Sequence, residues 1–221
     1  MTIPSTAWLT PPRDGGLACR PLTHRTSSSS GSPSCCLIFD PAVSSHYEVF
    51  MIPSLQCKKH RLGVDLKQED RAVEWPSSPY PVSVFSSSTG RWEERRFLRE
   101  GEPADDFFSD AWISGRCSLT AERAVYRRGV LYVMFFNTDF VVRFSLMDNK
   151  HQVIKPPMKP TTLYGYDYYS YIGRSRKGVY LASFTRDLYL QVWILDESCS
   201  PMKWQLKHEK DLRDALHGCI K

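Results

Sequence analysis

The chain has 221 residues, 42% of them hydrophobic and 13% aromatic, which excludes an intrinsically disordered polymer and is ample for one domain with a sizeable core. Its formal charge of +5 is concentrated toward the C-terminus, with 12 basic against 7 acidic side chains over residues 150–221. A surplus this small, without a Lys/Arg stripe along a helix, excludes little and is expected to be a solvated face rather than a nucleic-acid surface.

Residues 1–34 differ in kind from the rest. "RTSSSSGSPS" is of low complexity, and Pro11-Pro12 and Gly15-Gly16 prevent an amphipathic transit helix, so this segment is expected to be disordered. From 35 to 221 the pattern changes to short extended runs. The first two are "CLIFD" (36–40) and "HYEVFMI" (46–52). Cys35, Cys36, Cys57 and His60 supply four possible zinc ligands. Adjacent cysteines on a strand point to opposite faces, and paired CxxC spacing is missing, so no metal site is expected. Seven cysteines at irregular spacing, with no secretory leader, fit reduced thiols in an intracellular setting, cytoplasmic or nuclear. No apolar run is long enough to span a bilayer, so no membrane partner is expected.

The next strands are "VSVFSS" (82–87) and "RWEERRF" (91–97), joined by a polar turn in which Gly90 supplies a positive φ. Asp105, Asp106 and Asp110 in "ADDFFSDAW" are the residue types a glycosidase would use in pairs, yet they fall in an expected loop with no partner acid identified. Strands follow at 123–127, 130–136, 140–146, 151–155, 169–173, 179–184, 189–195 and 203–208. "HEKDLRDALHG" (208–218) is the one helical candidate, with Leu212 and Leu216 four apart and Gly218 to end it. The tract "LYGYDYYSYIGRSRKG" carries Tyr166, Tyr168, Tyr169 and Tyr171, followed by Arg174 and Arg176. Tyrosines give stiff, amphipathic contact area, so these six residues are a candidate protein-interaction surface, or a stacking surface for bases. They also suit a strand packed between sheets and ending in a charged hairpin turn.

Internal repetition organises the second half. "RRGVLYVMFFNTDFVVRFSLMDNK" aligns with "SRKGVYLASFTRDLYLQVWILDESCS", placing Gly129 on Gly178, Phe135 on Phe184, Phe144 on Trp193 and Leu146 on Leu195, an offset of 49 residues. A period near 50 built of four strands is that of a kelch-type β-propeller blade. The fold class expected is all-β: a partial or small β-propeller of about four antiparallel four-stranded blades over 35–221, after a disordered segment over 1–34, with a short C-terminal helix. "VLYVMFF" and "YLQVWIL" are apolar on both faces, as blades covered on each side require.

The segments "LIFDPAVSSHYEVFMIP", "PVSVFSSSTGRWEERRF", "AVYRRGVLYV", "DNKHQVIKPP", "YIGRSRKGVYLASF" and "LQVWILDESCSPMKWQLKHE" resemble, in order, the plant (grass-type) F-box proteins that carry an associated β-propeller-like domain. The resemblance runs from Leu37 to Asp211. It implies a non-enzymatic module that presents a protein substrate to a cullin-RING ubiquitin ligase, with no cofactor and no catalytic residue. In that family an N-terminal F-box docks on the Skp subunit. Residues 1–34 do not read as that helical segment, so direct Skp binding is not expected of them. A propeller-based enzyme and a nucleic-acid-binding module are the alternatives.

Overall fold

A computed structural model describes residues 33–56, 75–104, 118–119, 121–135, 140–157, 168–185 and 187–213. Strands account for their regular structure. In chain order these are β1 (Ser34–Ile38), β2 (Glu48–Ile52), β3 (Leu55–Gln56), β4 (Tyr80–Ser86), β5 (Arg91–Arg99), β6 (Ser118–Leu119), β7 (Ala121–Arg127), β8 (Val130–Phe135), β9 (Val141–Ser145), β10 (Lys150–Ile154), β11 (Tyr168–Arg174), β12 (Val179–Thr185), β13 (Tyr189–Asp196) and β14 (Lys203–Asp211). All twelve expected strands form, with ends shifted by a few residues. The two-residue pair β3–β6 carries too little pattern to be legible.

Three antiparallel meanders result: β1-β2-β4-β5, β7-β8-β9-β10 and β11-β12-β13-β14. The first two join through parallel pairing of β5 with β10, Leu98 opposite Lys150 and Arg99 opposite His151. At the opposite edge the Ser34 hydroxyl donates to the Ala121 carbonyl at 2.7 Å. The eight-stranded sheet is thereby a nearly closed, barrel-like layer pair, and the third meander is a separate four-stranded sheet.

Side-chain alternation shows how these layers pack. In β4, Tyr80, Val82 and Val84 are buried while Pro81 and Ser83 are exposed, so one face of the first sheet is interior. Those residues meet Phe50 and Phe97 from their own sheet and Leu131, Val133, Phe135, Val142 and Phe144 from the second. The other face of the second sheet, with Val125, Tyr132, Met134, Val141 and Ile154, packs on Ile172, Val179, Leu181 and Leu195 of the third. The second sheet is thus covered on both sides, and all but the first residue of β8 are buried. This is why "VLYVMFF" has no polar alternation.

Two expectations are corrected. Where the period suggested about four four-stranded units, the described residues form three, because the first unit runs from Ser34 to Arg99 with a long connection between β2 and β4. The C-terminal helix does not begin at His208, since β14 continues to Asp211 in cross-strand register with Tyr189–Asp196; residues 214–221 lie outside the described set. The 49-residue copies do form the two adjacent meanders with a shared interior, but not in one constant register. Arg128 and Gly129, at φ 50° and 78°, make a two-residue hairpin between β7 and β8, whereas four residues join β11 to β12. Gly129 is required by its left-handed φ. Gly178 is not left-handed and instead admits Ile194, whose Cδ1 would stand 3.1 Å from an added Cβ.

Candidate functional site

The third sheet has one covered face and one open face. Cross-strand register defines three rows on the open side: Tyr169–Phe184–Leu190–Lys210, Tyr171–Ala182–Val192–His208, and Gly173–Tyr180–Ile194–Gln205. Aromatic and β-branched residues occupy six of these twelve positions. Tyr169 and Tyr171 are 61% and 51% exposed, while the apolar residues beside them on β12 and β13 are half-buried. "YLQVWIL" is therefore apolar on both faces although only one of them, through Trp193 and Leu195, enters a core shared with another sheet.

β11 is held in place at its edge by the second sheet. The Arg123 guanidinium donates to the Ser170 carbonyl at 2.6 Å and lies 3.7 Å from the centroid of the Tyr171 ring, a stacking contact that fixes that tyrosine. Arg174 donates to the Tyr126 carbonyl, and the Arg176 carbonyl accepts from Arg127 at 3.2 Å.

The six residues singled out by sequence therefore divide. Tyr169 and Tyr171 share the open face. Arg174 points back to the second sheet, and Arg176 sits in the β11–β12 turn. Tyr168 opens β11 opposite Thr185, and Tyr166 lies outside the described residues. With Arg123 and Arg174 engaged on carbonyl oxygens, neither cation stands beside the tyrosines as a free phosphate contact.

Beneath this face a polar pin ties the third sheet to the second. Glu197, just after β13, accepts from the Tyr132 hydroxyl and forms an ion pair with Arg127 at 3.5 Å. Burial, reinforced by the hydrogen bond to Glu197, pushes the Tyr132 phenol well above its ordinary pKa of 10, so it acts as a fixed donor and not as an acid. Glu197→Ala is expected to cost about 1–3 kcal/mol, read as a shift in the urea midpoint, because a buried hydroxyl loses its acceptor. Adding Tyr132→Phe should recover part of that loss, and full additivity of the two changes would show that the residues are not coupled.

Cys36 is buried in the core, and Cys35 is half-exposed on the outer face of the first sheet, with its thiol pKa raised by burial. The two thiols face opposite ways. Among the described residues no group of three or more His, Cys, Asp or Glu side chains is placed to hold a metal ion. Cys57, His60, Asp105, Asp106 and Asp110 lie outside the described residues. No helix among the described residues is long and apolar enough to cross a membrane.

A second open face escaped the sequence reading. On the outer side of the first sheet, Leu37, Val49, Phe85 and Trp92 form one row across four strands, with Tyr47 beside Phe85 at a centroid separation of 6.4 Å. Alternation in "YPVSVFS" could have placed Phe85 opposite in facing to Val82 and Val84, which is the signal that reveals this row.

Comparison with family models, curated proteins and solved structures gave no match, so the function is argued from these residues.

Proposed function

We propose that the chain is a non-enzymatic protein-interaction module whose partner surface is the open face of the third sheet. The observation that carries this reading is the pair Tyr169 and Tyr171, both more than half exposed beside half-buried apolar side chains of β12 and β13. Rigid aromatic rings over a preformed sheet give contact area at small entropic cost, and such residues dominate protein interfaces. The reading involves no cofactor.

Within it, the three meanders are blades of a small propeller-like scaffold. They follow one another in chain order and stack face to face, and the first strands of the last two lie side by side, as innermost blade strands do. The β5–β10 pairing departs from that plan by tying together the outer edges of the first two sheets. The partner is then a protein substrate for a ubiquitin ligase, as in the F-box family that the sequence resembles, and contact with Skp requires an F-box in addition to residues 35–221.

Co-purification of the chain with and without a fused F-box tests both parts. Both forms are expected to recover the same protein partner, and only the fused form to recover Skp. Tyr169→Ala/Tyr171→Ala should weaken partner capture by about tenfold or more at unchanged far-UV circular dichroism. Failure of both forms to retain any protein would overturn the reading.

A further inference from the structure

We propose that the open face of the third sheet takes an acidic amphipathic helix of its partner protein, with the helix's apolar side chains over β11, β12 and β13 and its carboxylates along β14. This rests on the reading of that face as the partner surface and adds the chemistry of the segment it holds.

Cross-strand register sorts the face into an apolar strip and a cationic border. The tyrosines of β11, Phe184 and Tyr180 of β12, and Leu190, Val192 and Ile194 of β13 make the strip. On β14, Lys210 stands opposite Leu190, His208 opposite Val192, Gln205 opposite Ile194 and Lys203 opposite Asp196. The acids of that strand, Glu209 and Asp211, are opposite Gln191 and Tyr189 and so belong to the other side of the sheet. Lys203, His208 and Lys210 are all exposed, and none of them is in an ion pair among the described residues.

Carboxylates do not offset this border. Asp196, where β13 ends, already accepts from the Ser198 hydroxyl at 2.6 Å and from the Gln205 amide at 2.5 Å. Asp187 is exposed at the opposite end, in the turn between β12 and β13. At the Asp196 end the β11–β12 turn adds two more exposed cations, Arg176 and Lys177. An acidic flank lying beside β14 therefore gains charge-assisted contacts, and a basic one meets like charge.

Size selects a helix. Three strands at about 4.8 Å spacing make the strip about 10 Å wide, and about seven residues at about 3.3 Å rise make it about 23 Å long. A single helix, roughly 10–12 Å across, fills that width, and about fifteen of its residues cover the length. The aliphatic column on β13 suits leucine-like side chains on the helix and offers no ring on which a base could stack.

Two synthetic helical peptides of about fifteen residues serve as probes, with the same leucines spaced three and four apart, flanked by Glu and Gln in one and by Lys and Gln in the other. Fluorescence anisotropy at low salt should show wild type binding the Glu peptide at least tenfold more tightly than the Lys peptide. Lys203→Ala/Lys210→Ala alters exposed side chains, which circular dichroism can confirm leaves the fold intact, and should remove most of that preference. Tyr169→Ala/Tyr171→Ala should weaken both peptides alike. No preference in wild type, or a preference for the Lys peptide, overturns the proposal. So does binding of neither peptide at about 1 mM, where even a weak complex would form. Tighter binding of an oligouridylate than of either peptide overturns it as well, since the face is then a nucleic-acid surface. A chain that co-purifies a protein partner but lacks the Glu preference overturns this inference alone. A chain that prefers the Glu peptide but retains no protein overturns the partner reading alone.

Discussion

Phe144→Ala is expected to lower the unfolding free energy by about 3–5 kcal/mol, a large share of the roughly 5–15 kcal/mol typical of a domain. Phe144 is fully buried on β9, between Leu131 and His151 in the cross-strand register. Its ring meets Phe97 edge-on at 5.1 Å and Tyr80 at 5.7 Å, both from the first sheet. Truncation removes the side chain that most directly joins the two halves of the eight-stranded layer, and backbone pairing around it prevents full collapse of the cavity. Urea unfolding by intrinsic fluorescence measures the loss. A cost below about 1 kcal/mol would mean that the first and second sheets do not share this interior.

Acid should destabilise the protein in a window set by His151. This residue is fully buried on β10, and its Nδ1 lies 3.0 Å from the Phe97 carbonyl, which requires the proton on Nδ1. Its Nε2 is buried and has no hydrogen-bond partner among the described residues. Burial lowers its pKa below 6.5, and nearby Arg99 lowers it further, against the raising effect of the Phe97 carbonyl. The unfolded chain therefore takes up a proton near pH 6.5 that the folded chain still refuses. Stability is full above that pH and falls as pH drops toward the lowered folded value, by up to about 1.4 kcal/mol per pH unit. Urea midpoints should be level from pH 7 to 8 and decline below pH 6. In His151→Leu the decline over pH 4.5–6 should flatten. Asp196 and Asp211, whose pKa values are lowered by hydrogen bonds from Ser198 and Arg213, lose their contribution only at more acidic pH. An unchanged slope in the variant would remove His151 as the cause.

The existence of strands was legible because short apolar runs are bounded by Gly, Pro, Ser and Asp, and Gly90 and Gly129 do supply the left-handed residues of their turns. The doubling of a four-strand unit was legible too, in the aligned aromatic positions. Which face of each strand meets which neighbour was not. Val130 and Val179 are aligned by the 49-residue offset, yet each packs toward the other's sheet, because the register of β8 on β9 and of β12 on β13 differs by one residue, Leu131 opposite Phe144 but Leu181 opposite Trp193, which reverses the facing. The parallel seam between Leu98 and Lys150 is also invisible locally, since it joins strands far apart in the chain. For the candidate surface, the tyrosine tract falls partly on β11. Alternation of period two separates Tyr169 and Tyr171 from Arg174 only once the strand's position against Arg123 and Tyr126 is known.

The last strand bears on how this molecule resists becoming a fibre. β14 lies at the edge of its sheet, exposed for nearly its whole length, and carries Lys203, Lys207, Lys210, Glu209 and Asp211. An in-register cross-β stack grown from this edge would repeat every one of these charges against its own kind at about 4.8 Å intervals, with little water to screen them. Those charges oppose in-register elongation from β14, on a sheet that is apolar on its broad sides.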